Sequence, residues 1–298
     1  MNAFDEVCAL LPPHLRLRAQ ALPSTVRRRA QELRLRAGRT PTLVLHGEEL
    51  PLPGEGEVTV RDLELTVEIA TRASAYAALE RVRQGFFTVK GGHRIGLCGS
   101  VWTDNGQVKN LRRLSSLDLR IAHAIPGCGE GVLEALTPGG KFSGALIIAP
   151  PGGGKTTLLR DLCRLLSDGN HTPPLRVGLA DERGEVAALW EGVPQFDVGA
   201  HTDVLEGCPK AQGLLMLLRG MNPQVLACDE VSDPADIHAL ETCANCGVAL
   251  LATAHAASVE DLKQKPFYRA LLSTGVFPQA VVLDRQNMGR FRVEGLSC

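Results

Sequence analysis

Aromatic residues are scarce in this 298-residue chain, which holds 2 Trp, 2 Tyr and 8 Phe. So thin a supply of ring faces argues against a platform for single-stranded nucleic acid, where successive bases stack on aromatics. Charge of one sign is missing as well. Lys+Arg number 32 against 33 Asp+Glu, so bulk electrostatics leave no phosphate-backbone footprint, and nucleic acid is not an expected partner. Long hydrophobic runs are absent. The best candidate, residues 248–254, falls far short of the ~18–20 apolar residues that span a bilayer. Residues 1–19 place acids, prolines and arginines where a secretory signal would carry its apolar core. The expectation is a soluble, cytoplasmic protein. Cysteine is present without a framework: nine thiols, odd in number and scattered. Several sit in apolar stretches, such as Cys163 and Cys228, and read as reduced and buried. Cys243 and Cys246 form one CxxC with no second ligand pair, which reads as helix packing rather than zinc.

What is present is an ordinary globular composition, 44% apolar and 22% charged, in a chain long enough for two domains. Its charge is uneven. Arg16, Arg18, Arg27, Arg28, Arg29, Arg34, Arg36 and Arg39 crowd the N-terminal region. They could meet an anionic partner or form a solvated, salt-bridged face; Arg34 and Arg36 alternate with Leu33 and Leu35, as in a strand. Residues 1–126 read as a small α+β domain. It should hold a strand pair over 33–45 broken at Gly38, a helix from an Asp62 cap to about 72, and a helix over 75–83. A hairpin over 88–102 should turn at Gly91-Gly92, with a further turn at Asn105-Gly106. Pro126, Gly127, Gly129 and Gly131 mark a boundary. From 127 to 298 strands and helices alternate, with strands at 144–149, 175–181, 225–229, 248–254, 280–284 and 290–296. Helices are expected at 156–166, 211–221, 233–246 and 258–274. Repeated βα units imply a parallel sheet flanked by helices.

Chemistry concentrates at the ends of these strands. The segment APPGGGKTT (149–157) follows an apolar strand and opens a helix. Gly152, Gly153 and Gly154 let backbone N–H groups converge on a phosphate, and the helix start adds its positive dipole end. Pro150, Pro151 and Thr157 complete the cradle. Lys155 reaches the β- and γ-phosphates of ATP, and the Thr156 hydroxyl ligates Mg²⁺. Ala149 stands at the usual first glycine, where the chain only turns out of the strand. About seventy residues on, VLACDE (225–230) supplies Asp229 for Mg²⁺ and Glu230 to orient and deprotonate water. Thr253 and His255 would lie beside the γ-phosphate if their strand neighbours the acidic one. His255 could sense that phosphate or be structural. Asp181, Glu182 and Glu185 in ADERGE (180–185) could support metal or water, with Arg183 pairing to them, or could form a surface salt-bridge cluster.

In this order these elements resemble the secretion-type ATPases of type II and type IV systems, and more narrowly the family of stage III sporulation protein AA. The resemblance rests on GGHRIGLCG (91–99), SSLDLRIAHAIPG (115–127), the phosphate loop with LLRDL (158–162), ADERGE (180–185), DVLEGCPKAQG (203–213), MNPQVLACDE (221–230) and TAHA (253–256). It implies a RecA-like P-loop ATPase domain preceded by a smaller α+β domain. It further implies a cytosolic ring hexamer, held at the membrane by integral components of a channel between mother cell and forespore. In such rings the N-terminal domain lends arginines to a neighbour's site; by position Arg94 and Arg120 are the candidates, though each also reads as an ordinary sheet arginine. A nucleic-acid-handling ATPase, a small-molecule kinase and a nucleotide-binding pseudo-enzyme are the competing readings. Glu230 has no obvious task in the second, and intact Lys155, Asp229 and Glu230 count against the third.

Overall fold

The computed structural model describes residues 2–45, 47–71, 85–104, 107–284 and 289–296, which form two compact units, Met1–His123 and Ala124–Cys298. In the first unit, helices α1 (Ala3–Ala9), α2 (Pro13–Gln20), α3 (Ser24–Arg27) and α4 (Val60–Ala70) accompany strands β1 (Glu32–Arg36), β2 (Thr42–Leu45), β3 (Glu48–Pro51), β4 (Phe86–Thr88), β5 (Arg94–Asp104) and β6 (Gln107–Arg120). The strands run in the order β3-β2-β1-β6-β5-β4, each antiparallel to its neighbours. Alternation splits the sheet into two faces. Leu33, Leu119 and Ile95 lie in one cross-strand row and Leu35, Leu117 and Leu97 in the next. All are buried, in one cluster with Phe4, Val7, Leu15 and Leu63 from the helices and Leu11 from the connection between α1 and α2. Each fully buried Leu contributes about 1.5–3 kcal/mol over an exposed one.

The opposite face carries the charges, and they neutralise one another. Arg34 pairs with Glu32 and Asp118, and Arg36 with Glu49. Arg18 donates to the carbonyls of Leu52, Pro53, Gly54 and Gly56. For these members of the N-terminal arginine cluster, engagement within the protein is what is observed. Two local details differ from the sequence expectation. Helix α4 is capped by Thr59, not Asp62; Asp62 sits at the third helical position and closes a capping box, the reciprocal arrangement that satisfies two end N–H groups. The strand pair at Gly38 gains a third strand, β3. The Gly91-Gly92 hairpin forms between β4 and β5, whereas the helix expected at 75–83 and the Asn105-Gly106 turn lie outside the described residues.

The second unit holds α5 (Glu130–Leu136), β7 (Ala145–Ala149), α6 (Lys155–Asp168), β8 (Val177–Asp181), a short ribbon of β9 (Leu189–Trp190) and β10 (Val193–Pro194), and β11 (Thr202–Glu206). There follow α7 (Lys210–Met221), β12 (Val225–Cys228), α8 (Pro234–Asn245), β13 (Ala249–His255), α9 (Val259–Gln264), α10 (Pro266–Ser273), β14 (Gln279–Leu283) and β15 (Phe291–Gly295). The main sheet runs β11-β8-β12-β13-β7-β14-β15, parallel except for the antiparallel edge strand β15. Residues of β7, β8 and β12 are buried throughout, as expected of strands covered on both faces. The helix expected over 258–274 is two helices. The break falls at Lys265, which takes an extended conformation before Pro266, because proline's ring disfavours the helical conformation in the residue before it. Strand β11 is absent from the sequence expectation, its polar residues masking a sheet edge.

Candidate functional site

The strand order settles the geometry of the site. Strand β13 lies between β7 and β12, parallel to both, so the phosphate loop after β7 and the acids after β12 flank the Thr253–His255 strand end. These parts share one cleft of about 430 Å³ lined by Pro151, Gly152, Gly153, Gly154, Lys155, Thr156, Thr157, Arg183, Glu185, Asp229, Glu230 and His255.

The loop 150–154 turns because its glycines permit it. Gly154 caps α6 at φ 84, with no side-chain cap, which leaves the helix start to backbone N–H groups and their dipole. A Cβ on Gly153 would lie 2.7 Å from the Ala149 Cβ and 3.0 Å from the Pro150 oxygen. A glycine at 153 therefore accommodates the methyl that Ala149 carries in place of hydrogen. The Pro150 carbonyl accepts from the Gly153 N–H at 3.1 Å.

Lys155 is buried, and its ammonium donates to the oxygens of Ala149 and Pro150 at 3.0 and 3.1 Å. Its third partner is His255 Nδ1 at 3.0 Å. Burial pulls the Lys155 ammonium below its ordinary range, opposed by Asp229 and Glu230. An ammonium only donates, so Nδ1 accepts and the histidine proton sits on Nε2. That nitrogen lies 3.3 Å from Glu230 Oε1.

Asp229 accepts from the Thr156 hydroxyl at 2.6 Å and the Thr253 hydroxyl at 2.5 Å. Thr253 in turn accepts the Glu230 N–H at 2.8 Å, locking Glu230 at a left-handed φ of 52. Such a conformation costs a non-glycine residue about 1–2 kcal/mol. Thr156 and Asp229 are hard oxygen donors. They suit Mg²⁺, which takes few protein ligands and completes its shell with water and phosphate.

In the acidic turn after β8, Asp181 is buried and accepts from the N–H groups of Glu185, Val186 and Ala187 at 2.8–3.0 Å. Burial raises its proton affinity, against those N–H groups. Glu182 pairs with Lys210 at 3.3 Å. Arg183 bypasses these acids and reaches Glu230 Oε2 at 2.7 Å. Glu185 alone of the three acids lines the cleft.

Sequence reasoning missed what holds that turn. Arg160, buried in α6 against the Phe196 ring, donates to the oxygens of Val186 and Glu185 at 2.6 and 2.7 Å. Its neighbour Asp161 accepts from the N–H groups of Gly127 and Gly129. Two charges inside the leucine-rich LLRDL were the available signal. Arg94 and Arg120 belong to the first unit, where they are direct cross-strand partners. Arg94 stacks on Phe86 and Arg120 contacts Asp118 and Glu32.

The sequence profile described as "Sporulation stage III, protein AA" matches residues 5–296. The chain belongs to that family. It is 36% identical over 283 residues to stage III sporulation protein AA of Bacillus subtilis, covering 95% of this chain and 91% of that one. Among solved structures it resembles the ATPase DotB of Yersinia pseudotuberculosis, with a TM-score of 0.58 at 14% identity, covering 96% of this chain and 80% of the other. The pilus retraction motor PilT, solved with bound ADP, gives 0.56 at 15% identity, covering 85% and 74%. At such identities the likeness speaks for the fold, which is RecA-like with a smaller antiparallel unit before it.

Proposed function

We propose that this family member binds ATP with Mg²⁺ and hydrolyses it, as a ring, most simply a hexamer, that powers or assembles a channel between mother cell and forespore. One observation carries the reading: Lys155, Thr156, Asp229, Glu230 and His255, drawn from three strand ends, converge on a single cleft. Lys155 meets the β- and γ-phosphates. Thr156 and Asp229 hold Mg²⁺, which when bound neutralises charge on the phosphates. Glu230 orients and deprotonates the attacking water, Glu185 supports that water, and His255 couples Glu230 to Lys155.

Part of the charge developing on the transferred phosphoryl is unmatched by these groups, and an arginine from a neighbouring subunit supplies it. Arg94 and Arg120 are the proposed donors. The protein works in the cytoplasm, held at the membrane by an integral partner; among the described residues no helix is long and apolar enough to cross a bilayer. The test is Mg²⁺-dependent phosphate release by the purified chain, together with its mass in light scattering with ATP present. Mixing Lys155→Ala with Arg120→Ala or Arg94→Ala should restore some turnover, since each lacks a different half of a shared site. No recovery and a monomeric mass would reject the ring.

A further inference from the structure

Charge at the cleft is engaged with itself, and one partnership there is unexplained by folding. Both oxygens of the Glu230 carboxylate are held, Oε2 by Arg183 at 2.7 Å and Oε1 by His255 at 3.3 Å. A base so held has one partner on each carboxylate oxygen, and the guanidinium charge draws on its basicity. Arg183 comes from another strand end, on a turn closed by Gly184 at φ 64. Its side chain is 59% exposed, so it contributes little packing, and it passes the nearer Glu182 and Asp181 to lie in the cleft with the phosphate loop.

We propose that Arg183 exchanges partners during the cycle, holding the Glu230 carboxylate as seen here and moving to the terminal phosphate when a nucleoside triphosphate binds. This rests on the nucleotide reading above and adds the residue by which the site distinguishes a triphosphate from a diphosphate. A γ-phosphate brings more negative charge and three acceptor oxygens to the same cleft, and a guanidinium fork matches that geometry better than a single carboxylate oxygen. Leaving Glu230 is cheap, because solvent-exposed ion pairs contribute at most about a fivefold bias. A diphosphate ends short of this position, so the Arg183–Glu230 pair stays closed and the carboxylate stays engaged. The exchange frees Oε2 for water only when a bond is there to be cleaved.

The experiment is equilibrium binding of ADP and of the non-hydrolysable analogue AMP-PNP, both with Mg²⁺, to the full chain. Wild type, Arg183→Gln and Arg183→Lys are compared. Arg183→Gln should weaken AMP-PNP by about tenfold, the size of one charge-assisted hydrogen bond, and leave ADP unchanged. Arg183→Lys should recover part of the loss. Glu230→Gln should tighten AMP-PNP up to about fivefold with Arg183 present and have no effect with Arg183→Gln. Equal effects of Arg183→Gln on both nucleotides, or none on either, would overturn the exchange while leaving the nucleotide site intact. If wild type binds neither nucleotide, or Lys155→Ala binds both as wild type does, the underlying reading fails and the exchange with it.

Discussion

The two units deploy polar residues in opposite ways. In Met1–His123 the sheet is antiparallel and one face carries its charges, so arginines and acids spread out and pair along and across strands, as Arg34 does with Glu32 on its own strand and Asp118 on the next. In Ala124–Cys298 the inner strands are apolar along their length, and polar groups gather where strands end. Those ends sit side by side because the strands are parallel, so Lys155, Asp229, Thr253 and His255 are brought together by topology. Spread charge stabilises a little; gathered charge lines the cleft.

The largest expected effect would break this comparison. Arg94→Ala and Arg120→Ala alter the charged sheet face, where loss of a surface pair should not touch turnover. A trans role predicts instead that one of them loses about 10³-fold or more in turnover with ATP binding retained, measured by steady-state hydrolysis beside equilibrium binding.

Next come changes of stability. Leu119→Ala, in the buried row with Leu33 and Ile95, should cost about 2–5 kcal/mol in denaturant unfolding. Asp181→Asn should cost about 1–3 kcal/mol, because an amide NH₂ then faces backbone N–H groups. Its folded proton affinity is raised from the ordinary 3.8. Protonation of the wild-type carboxyl therefore adds stability that is fully present below 3.8 and lost as pH rises through the folded value. The variant's deficit should widen on acidification. The smallest effect sharpens the contrast: Arg36→Ala, which removes an exposed pair with Glu49, should change unfolding by no more than about 1 kcal/mol.

Much of this is legible in the sequence. The buried parallel strands read as continuous apolar runs, and the phosphate loop, Asp229 and Glu230 announce themselves because glycines, lysine and acids follow such runs directly. What stays hidden depends on partners far apart in sequence. Strand β11 carries Asp203 and Glu206 among its few residues and looks like loop. Asp181 reads as support for metal or water, or as part of a surface cluster, because sequence shows an acid at a strand end but not the three N–H groups that fold back onto it. Arg183 looks like the partner of its immediate neighbours, and only the adjacency of β8 and β12 brings Glu230 within reach. Pro266 is a readable break inside the 258–274 periodicity, and the amphipathic pattern on either side conceals it.

The central claim is that Glu230 is the base of an ATP-hydrolysing cleft whose binding groups are separate from it. A single-turnover experiment tests this most directly: ATP and Mg²⁺ are mixed with excess wild type or Glu230→Gln, and bound nucleotide is recovered and identified over time. The account predicts ADP from wild type and intact, retained ATP from Glu230→Gln, with cleavage slowed about 10²–10⁴-fold. Equal cleavage by the two proteins would contradict it.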